Sequence, residues 1–157
     1  MFLNYLYHWP KIPLELHQQV SHIITNEQDE LDKFVGSFYA PYKLFPITGE
    51  LGNWLKSNLP MKFGSCFHIH VITDDLVVHK DYMQEKYKVN YIFETGGSLV
   101  RTNFYNDNQI LVESHQVSPY EWHWFDGTTY HNATNIEPGK KRIAITLGTN
   151  DVDSFDL

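Results

Sequence analysis

The sequence predicts a mainly β domain with helices at its N-terminal end, and three observations carry that reading. Hydrophobic residues make up 42% and aromatics 15% of the 157 residues, enough for a packed core and too many for a disordered chain. Apolar residues recur at helical spacing only before about residue 60. Beyond it the chain becomes a series of short β-branched and aromatic runs separated by turn residues.

The segment 13–34 reads PLELHQQVSHIITNEQDELDKF, with Leu16, Val20, Ile23 and Ile24 on one helical stripe and Pro13 suited to a first turn. A shorter helix is expected over 48–59, burying Leu51, Trp54 and Leu55 and stopped by Pro60. From Met61 onward eight runs read as strands: FGSCFHIHVIT, LVVHKD, YKVNYIFET, SLVRTNFY, QILVESHQ, YEWHWF, TTYHNATN and RIAITLGT. Asp74-Asp75, Gly96-Gly97, Asn106-Asp107-Asn108, Ser118-Pro119, Asp126-Gly127 and Pro138-Gly139 punctuate them. The gaps are too short for the crossovers of a parallel sheet, so the strands predict a closed or double-sheet antiparallel barrel with helices on one outer face. One domain over 1–157 is expected, with 1–60 as helical support and 61–150 as the strand-rich core.

Twelve Lys and Arg against nineteen Asp and Glu give a formal charge of −7, which argues against a nucleic-acid-backbone binder. Cys66 is the single cysteine, so neither an internal disulfide nor a cysteine-rich zinc site can form. No apolar stretch is long enough to span a bilayer, and the first residues lack the pattern of a secretory signal, so a soluble cytoplasmic protein is expected. Gly96-Gly97 is a hairpin signal and no part of a phosphate-binding loop. Oligomeric state and substrate identity leave no mark in the sequence.

The chemistry concentrates in a few spaced residues. In Val77-Val78-His79-Lys80-Asp81, strand alternation puts His79 and Asp81 on one side, so both can reach one metal ion. A second imidazole from another strand would complete a two-His-one-carboxylate triad, which leaves coordination positions open for a co-substrate and dioxygen. His131 in GTTYHNATN is the best third ligand. Eleven residues later Arg142 opens the apolar run RIAITL. If the turn 135–141 joins two paired strands, Arg142 approaches His131, and a buried guanidinium there calls for an anionic partner such as a dicarboxylate. His115 and His123 read as ordinary strand histidines, although His123, between two tryptophans, can also line a pocket.

H-x-D, a distal His in FDGTTYHNATN and an Arg about ten residues on resemble the 2-oxoglutarate- and Fe(II)-dependent oxygenases, in particular the prolyl hydroxylase and aspartyl/asparaginyl β-hydroxylase groups. The resemblance covers residues 67–147. It implies a double-stranded β-helix (jelly-roll, cupin-like) core, with Fe(II) held by His79, Asp81 and His131 and the distal carboxylate of 2-oxoglutarate bound by Arg142. It also implies dioxygen as oxidant and admits ascorbate as an auxiliary reductant. Asn90 falls where the family places a polar residue in the co-substrate pocket, with Tyr91 the competing choice. His68 falls where a strand residue bonds the co-substrate carboxylate, and His70 shares its face. The implied reaction is hydroxylation of a small molecule, an amino acid or a peptidyl residue with release of succinate and CO2. Two alternatives stand beside it: a cupin-like metal enzyme that does not use 2-oxoglutarate, and a non-enzymatic jelly-roll module binding a carbohydrate or a partner through Trp122 and Trp124.

Overall fold

A computed structural model describes residues 1–34, 42–81 and 84–157. The chain is mostly β, with two helices and two antiparallel sheets. A six-stranded sheet contains β1 (Asn4–Tyr5), β2 (Tyr42–Pro46), β3 (Phe67–Ile72), β4 (Tyr87–Thr95), β7 (Trp122–Asp126) and β9 (Arg142–Thr149), in the order β1-β7-β4-β9-β3-β2. A three-stranded sheet contains β5 (Arg101–Tyr105), β6 (Leu111–His115) and β8 (Tyr130–Thr134), in the order β6-β5-β8. A 3-10 turn over Val152–Asp156 follows β9 and seats Phe155 against Trp9 and Trp124.

Helix α1 (Leu14–Phe34) begins directly after Pro13, whose carbonyl accepts the Leu16 N–H at 2.9 Å. Leu16, Val20 and Ile23 form its buried stripe, as the spacing predicts. Helix α2 (Gly49–Asn58) buries Leu51 and Leu55 completely. Its first turn is satisfied from outside: the Leu51 N–H donates to Gln19 Oε1 of α1 at 3.0 Å, while Thr48 makes no side-chain cap. Both helices lie on the same face of the six-stranded sheet, over Ile69, Val71, Val89, Tyr91, Ile145 and Leu147. Among the described residues no helix is long and apolar enough to cross a membrane.

Strand alternation gives the large sheet two different faces. On β4, Val89, Tyr91 and Phe93 turn toward the helices, while Lys88, Asn90 and Ile92 turn toward the small sheet. On β9, Ile145 and Leu147 turn toward the helices, while Arg142, Ala144 and Thr146 turn the other way. The small sheet covers that second face through Phe104, which packs with Ile92, Phe125 and Ala144. The polar side of the large sheet is therefore enclosed within the molecule.

Three expectations need correction. The run LVVHKD is not a strand; it meets β8 in one isolated bridge, His79 with His131. The neighbouring bonds, Leu76 N–H to Ala133 O and Asp81 N–H to Gly127 O, fall out of register with that bridge, so the ladder does not propagate. β8 and β9 do not form a hairpin: β8 pairs with β5, and β9 pairs with β3 and β4 in the other sheet. The connection 135–141 crosses between sheets, with Asn135 and Gly139 at positive φ and the buried Ile136 N–H held by Asp75 Oδ1. Strands β1 and β2 lie in the N-terminal part expected to be helical support. Replacing Leu55, fully buried between α2 and the sheet, by Ala should lower unfolding free energy by about 2–5 kcal/mol in urea titration, with the helix content of the native state unchanged.

Candidate metal centre and the cavity behind it

His79 and Asp81 come from the bridged segment before β4, and His131 from β8. Their ligand atoms all lie within 4.8 Å of one another. The Asp81 carboxylate sits between the rings, with Oδ1 3.5 Å from His79 Nε2 and Oδ2 3.4 Å from His131 Nε2. The backbone bridge between His79 and His131, two N–H···O bonds of 3.0 and 2.9 Å, sets the ring separation. Gly127 lets the segment come this close: its carbonyl accepts the Asp81 N–H at 2.8 Å, and a Cβ there would stand 3.1 Å from Asp81 Oδ2.

Each imidazole is oriented by the same local device. His79 Nδ1 lies 2.7 Å from the Val77 carbonyl, and His131 Nδ1 lies 2.7 Å from the Thr129 carbonyl. A carbonyl only accepts, so each Nδ1 carries the proton, and in the neutral ring the Nε2 lone pair faces the carboxylate. Two lone pairs and one anion converging on a point repel one another unless a cation lies between them. Two imidazole nitrogens and one carboxylate oxygen grouped in this way could hold a metal ion.

Charge at this point is shared with a residue that sequence reading missed. Lys88 Nζ lies 2.8 Å from Asp81 Oδ2, both side chains about nine-tenths buried. Burial alone would raise the Asp81 pKa, but the Lys88 ammonium and the two facing imidazoles outweigh it and hold the carboxyl well below the usual range. His131 is lowered by burial, with Asp81 acting in the opposite direction. A neutral imidazole is the form a metal takes.

A cavity between the sheets is lined by His79 and His131 of the triad together with Lys88, Asn90, Thr146, His70, His123, Thr102 and Arg142. Arg142 is buried, and burial lowers it to about 10. Its Nη1 donates to Thr102 Oγ1 at 2.9 Å, and among the described residues no carboxylate pairs with it. A buried guanidinium lacking a counter-ion is costly by several kcal/mol, and an anionic ligand removes that cost. His70 Nε2 and His123 Nδ1 are also inaccessible to solvent and without a hydrogen-bond partner. These three groups fit a ligand bearing a carboxylate and further polar atoms.

The other sequence-selected residues divide by depth. Asn90 lines the cavity and accepts a hydrogen bond from the Thr146 hydroxyl at 2.8 Å, whereas Tyr91 faces the helices and packs at a tilt against Trp122. His68 stands outside the cavity lining, its Nδ1 3.6 Å from Cys66 Sγ, while His70, two residues further along the same face, lines it. Alternation fixes a residue's face and leaves its depth along the strand open, so His68 and His70 were not separable by parity. His115 pairs with Glu113 at 3.0 Å, but His123 belongs to the cavity. Trp122 is buried and donates to the Pro10 carbonyl, and Trp124 stacks on Phe155, so neither forms the platform that a tryptophan-based binding module requires. Burial raises the Cys66 thiol to about 11, which leaves it a poor nucleophile.

No family model and no curated protein matches this chain.

Burial pushes His70 and His123 down to about 3, with Lys88 adding to the effect on the first and Arg142 on the second. The unfolded chain binds protons on these groups near pH 6.5 and the native chain does not, so stability is complete above that pH and is lost as pH falls toward 3. Urea titration should show a loss of up to about 2 kcal/mol per buried imidazole between pH 7 and pH 5. His123→Gln should flatten that dependence; a slope unaltered in the variant would remove His123 as its source.

Proposed function

We propose that the protein is an Fe(II)- and 2-oxoglutarate-dependent dioxygenase that hydroxylates a small molecule, an amino acid or a peptidyl residue, built on a double-stranded β-helix. Strand order supports the fold assignment. Within the large sheet the order β3-β9-β4-β7, set against the segment 79–81 followed by β8-β5-β6, interleaves eight stretches of chain across two facing sheets as a jelly roll does. The observation that carries the functional reading is Arg142, a buried guanidinium that meets no carboxylate among the described residues, lining the same cavity as His79 and His131.

In this reading His79, Asp81 and His131 hold the metal, which when bound supplies dioxygen activation coupled to oxidative decarboxylation of 2-oxoglutarate to succinate and CO2. The Val77 and Thr129 carbonyls keep both Nε2 lone pairs aimed at the ion. Arg142, steadied by Thr102, receives the distal carboxylate of the keto acid as a two-point charge-assisted pair. Asn90 and Thr146 form the polar floor between the two ends. Phe104, Phe125 and Ala144 keep water from the reacting centre. His79 has about a third of its side chain accessible while Arg142 is buried, so substrate approaches from the His79 side and the acid lies deeper.

Anaerobic addition of Fe(II) and 2-oxoglutarate should produce the weak visible absorption of a chelated keto acid, a test independent of substrate identity. His79→Ala, Asp81→Ala and His131→Ala should each abolish stoichiometric Fe(II) or Mn(II) uptake in a protein of native circular dichroism; retention by all three would refute the assignment. Arg142→Ala should weaken 2-oxoglutarate by about 1.5–3 kcal/mol, roughly ten- to a hundredfold, with little change in metal affinity. Metal binding that persists without any effect of 2-oxoglutarate would favour the cupin-like alternative.

A further inference from the structure

We infer that Lys88 is a resident counter-cation that stands in for the metal at Asp81 and competes with it. The inference rests on the metal-site reading above and adds a control on it. Lys88 projects from β4 on the cavity face, with its ammonium 2.8 Å from Asp81 Oδ2 and about 6.0 Å from the centre of the Phe125 ring. Both partners of the pair are about nine-tenths buried, so solvent screens the contact weakly. The same Asp81 carboxylate faces His79 Nε2 from one oxygen and His131 Nε2 from the other.

The consequences follow from charge and geometry. Without an ion between the rings, Asp81 would be a buried anion facing two lone pairs, and Lys88 is the cation that makes this arrangement tolerable. When a dication enters, it and the ammonium bind the same carboxylate and repel each other at close range. Lys88 thus stabilises the metal-free protein and weakens metal binding, keeping the ion exchangeable. Because Lys88 stays on Oδ2, it also favours ligation of the metal through Oδ1 alone, which preserves open coordination positions. Lys88 is therefore a positioning residue, acting on the metal through Asp81.

The test measures Mn(II) affinity and metal-free melting temperature for the full chain, Lys88→Met, Lys88→Gln and Lys88→Arg. Lys88→Met and Lys88→Gln should bind Mn(II) at least about tenfold more tightly than the parent while the metal-free form melts lower. Lys88→Arg, which keeps the charge, should stay near the parent in both. A residue that merely supports the fold would lower stability and affinity together, so an affinity that is unchanged or weaker in folded Lys88→Met and Lys88→Gln overturns the inference. If the parent chain itself takes up no Mn(II), the metal site is wrong and the role of Lys88 falls with it. Tight Mn(II) binding by the parent with no gain in either variant leaves the metal site standing and removes only the competition.

Discussion

The Asp81 carboxylate is the point on which the interior of this protein turns, because three groups from separate parts of the chain converge on it. His79 arrives from its own segment two residues earlier, His131 from β8 in the small sheet, and Lys88 from β4 in the large one. The backbone bridge between His79 and His131 and the close approach of Gly127 hold the segment carrying Asp81 against β8. The ring orientations follow from carbonyls two residues upstream, so the site is pre-set by local backbone before any distant packing is considered. Against the effect of burial, the Lys88 ammonium and the two facing imidazoles favour the ionised carboxylate, the form a metal ligand takes.

The large sheet explains how such polarity can be kept inside. A sheet covered on both faces normally reads as a continuous apolar run. Here β4 and β9 alternate, and most of their apolar residues pack on the helix side, where Val89, Tyr91, Ile145 and Leu147 are essentially inaccessible, while Ile92 and Ala144 meet Phe104 of the small sheet. That core supplies the stability that lets the opposite face carry Lys88, Asn90, Thr146 and Arg142 under a second sheet. Alternation of polar and apolar residues on a doubly covered strand is thus a sign of an enclosed polar cavity, whatever that cavity binds.

Much of this was legible because it depends on short-range periodicity. The boundaries of β4 and β9 coincide with the runs YKVNYIFET and RIAITLGT, and α1 begins at the residue after Pro13. The convergence of His79, Asp81 and His131 was also legible from the H-x-D spacing and a distal strand histidine, although the segment carrying His79 and Asp81 is no strand and an isolated bridge to His131, rather than strand alternation, brings them together. Parity could not separate His68 from His70, because both point inward and only the register with β9 decides which lines the cavity. Nor could it assign β8 and β9 to different sheets: the short turn 135–141 looks like a hairpin, and the buried Ile136 with its bond to Asp75 redirects it. Arg142 still lines the same cavity as His131, but across facing sheets rather than along a shared ladder. Lys88 escaped notice because a lysine in a strand is ordinarily a solvated residue, and only the tertiary pairing with Asp81 reveals otherwise.

Charge balance in the cavity links the two halves of the site. With imidazoles counted as neutral, Lys88 and Arg142 oppose the single carboxylate of Asp81, an excess of about one positive charge within a weakly screened space. A dication alone would raise that excess to about three, which disfavours its entry on its own. A dicarboxylate brings it back to about one, so each ligand reduces the electrostatic cost of the other even before any bond between them is considered. By linkage, an acid seated against Arg142 tightens the metal as much as the metal tightens the acid. The guanidinium, which meets no carboxylate among the described residues, and the carboxylate, balanced by Lys88, are then two ends of one cavity whose charge an acid and a metal ion would balance together.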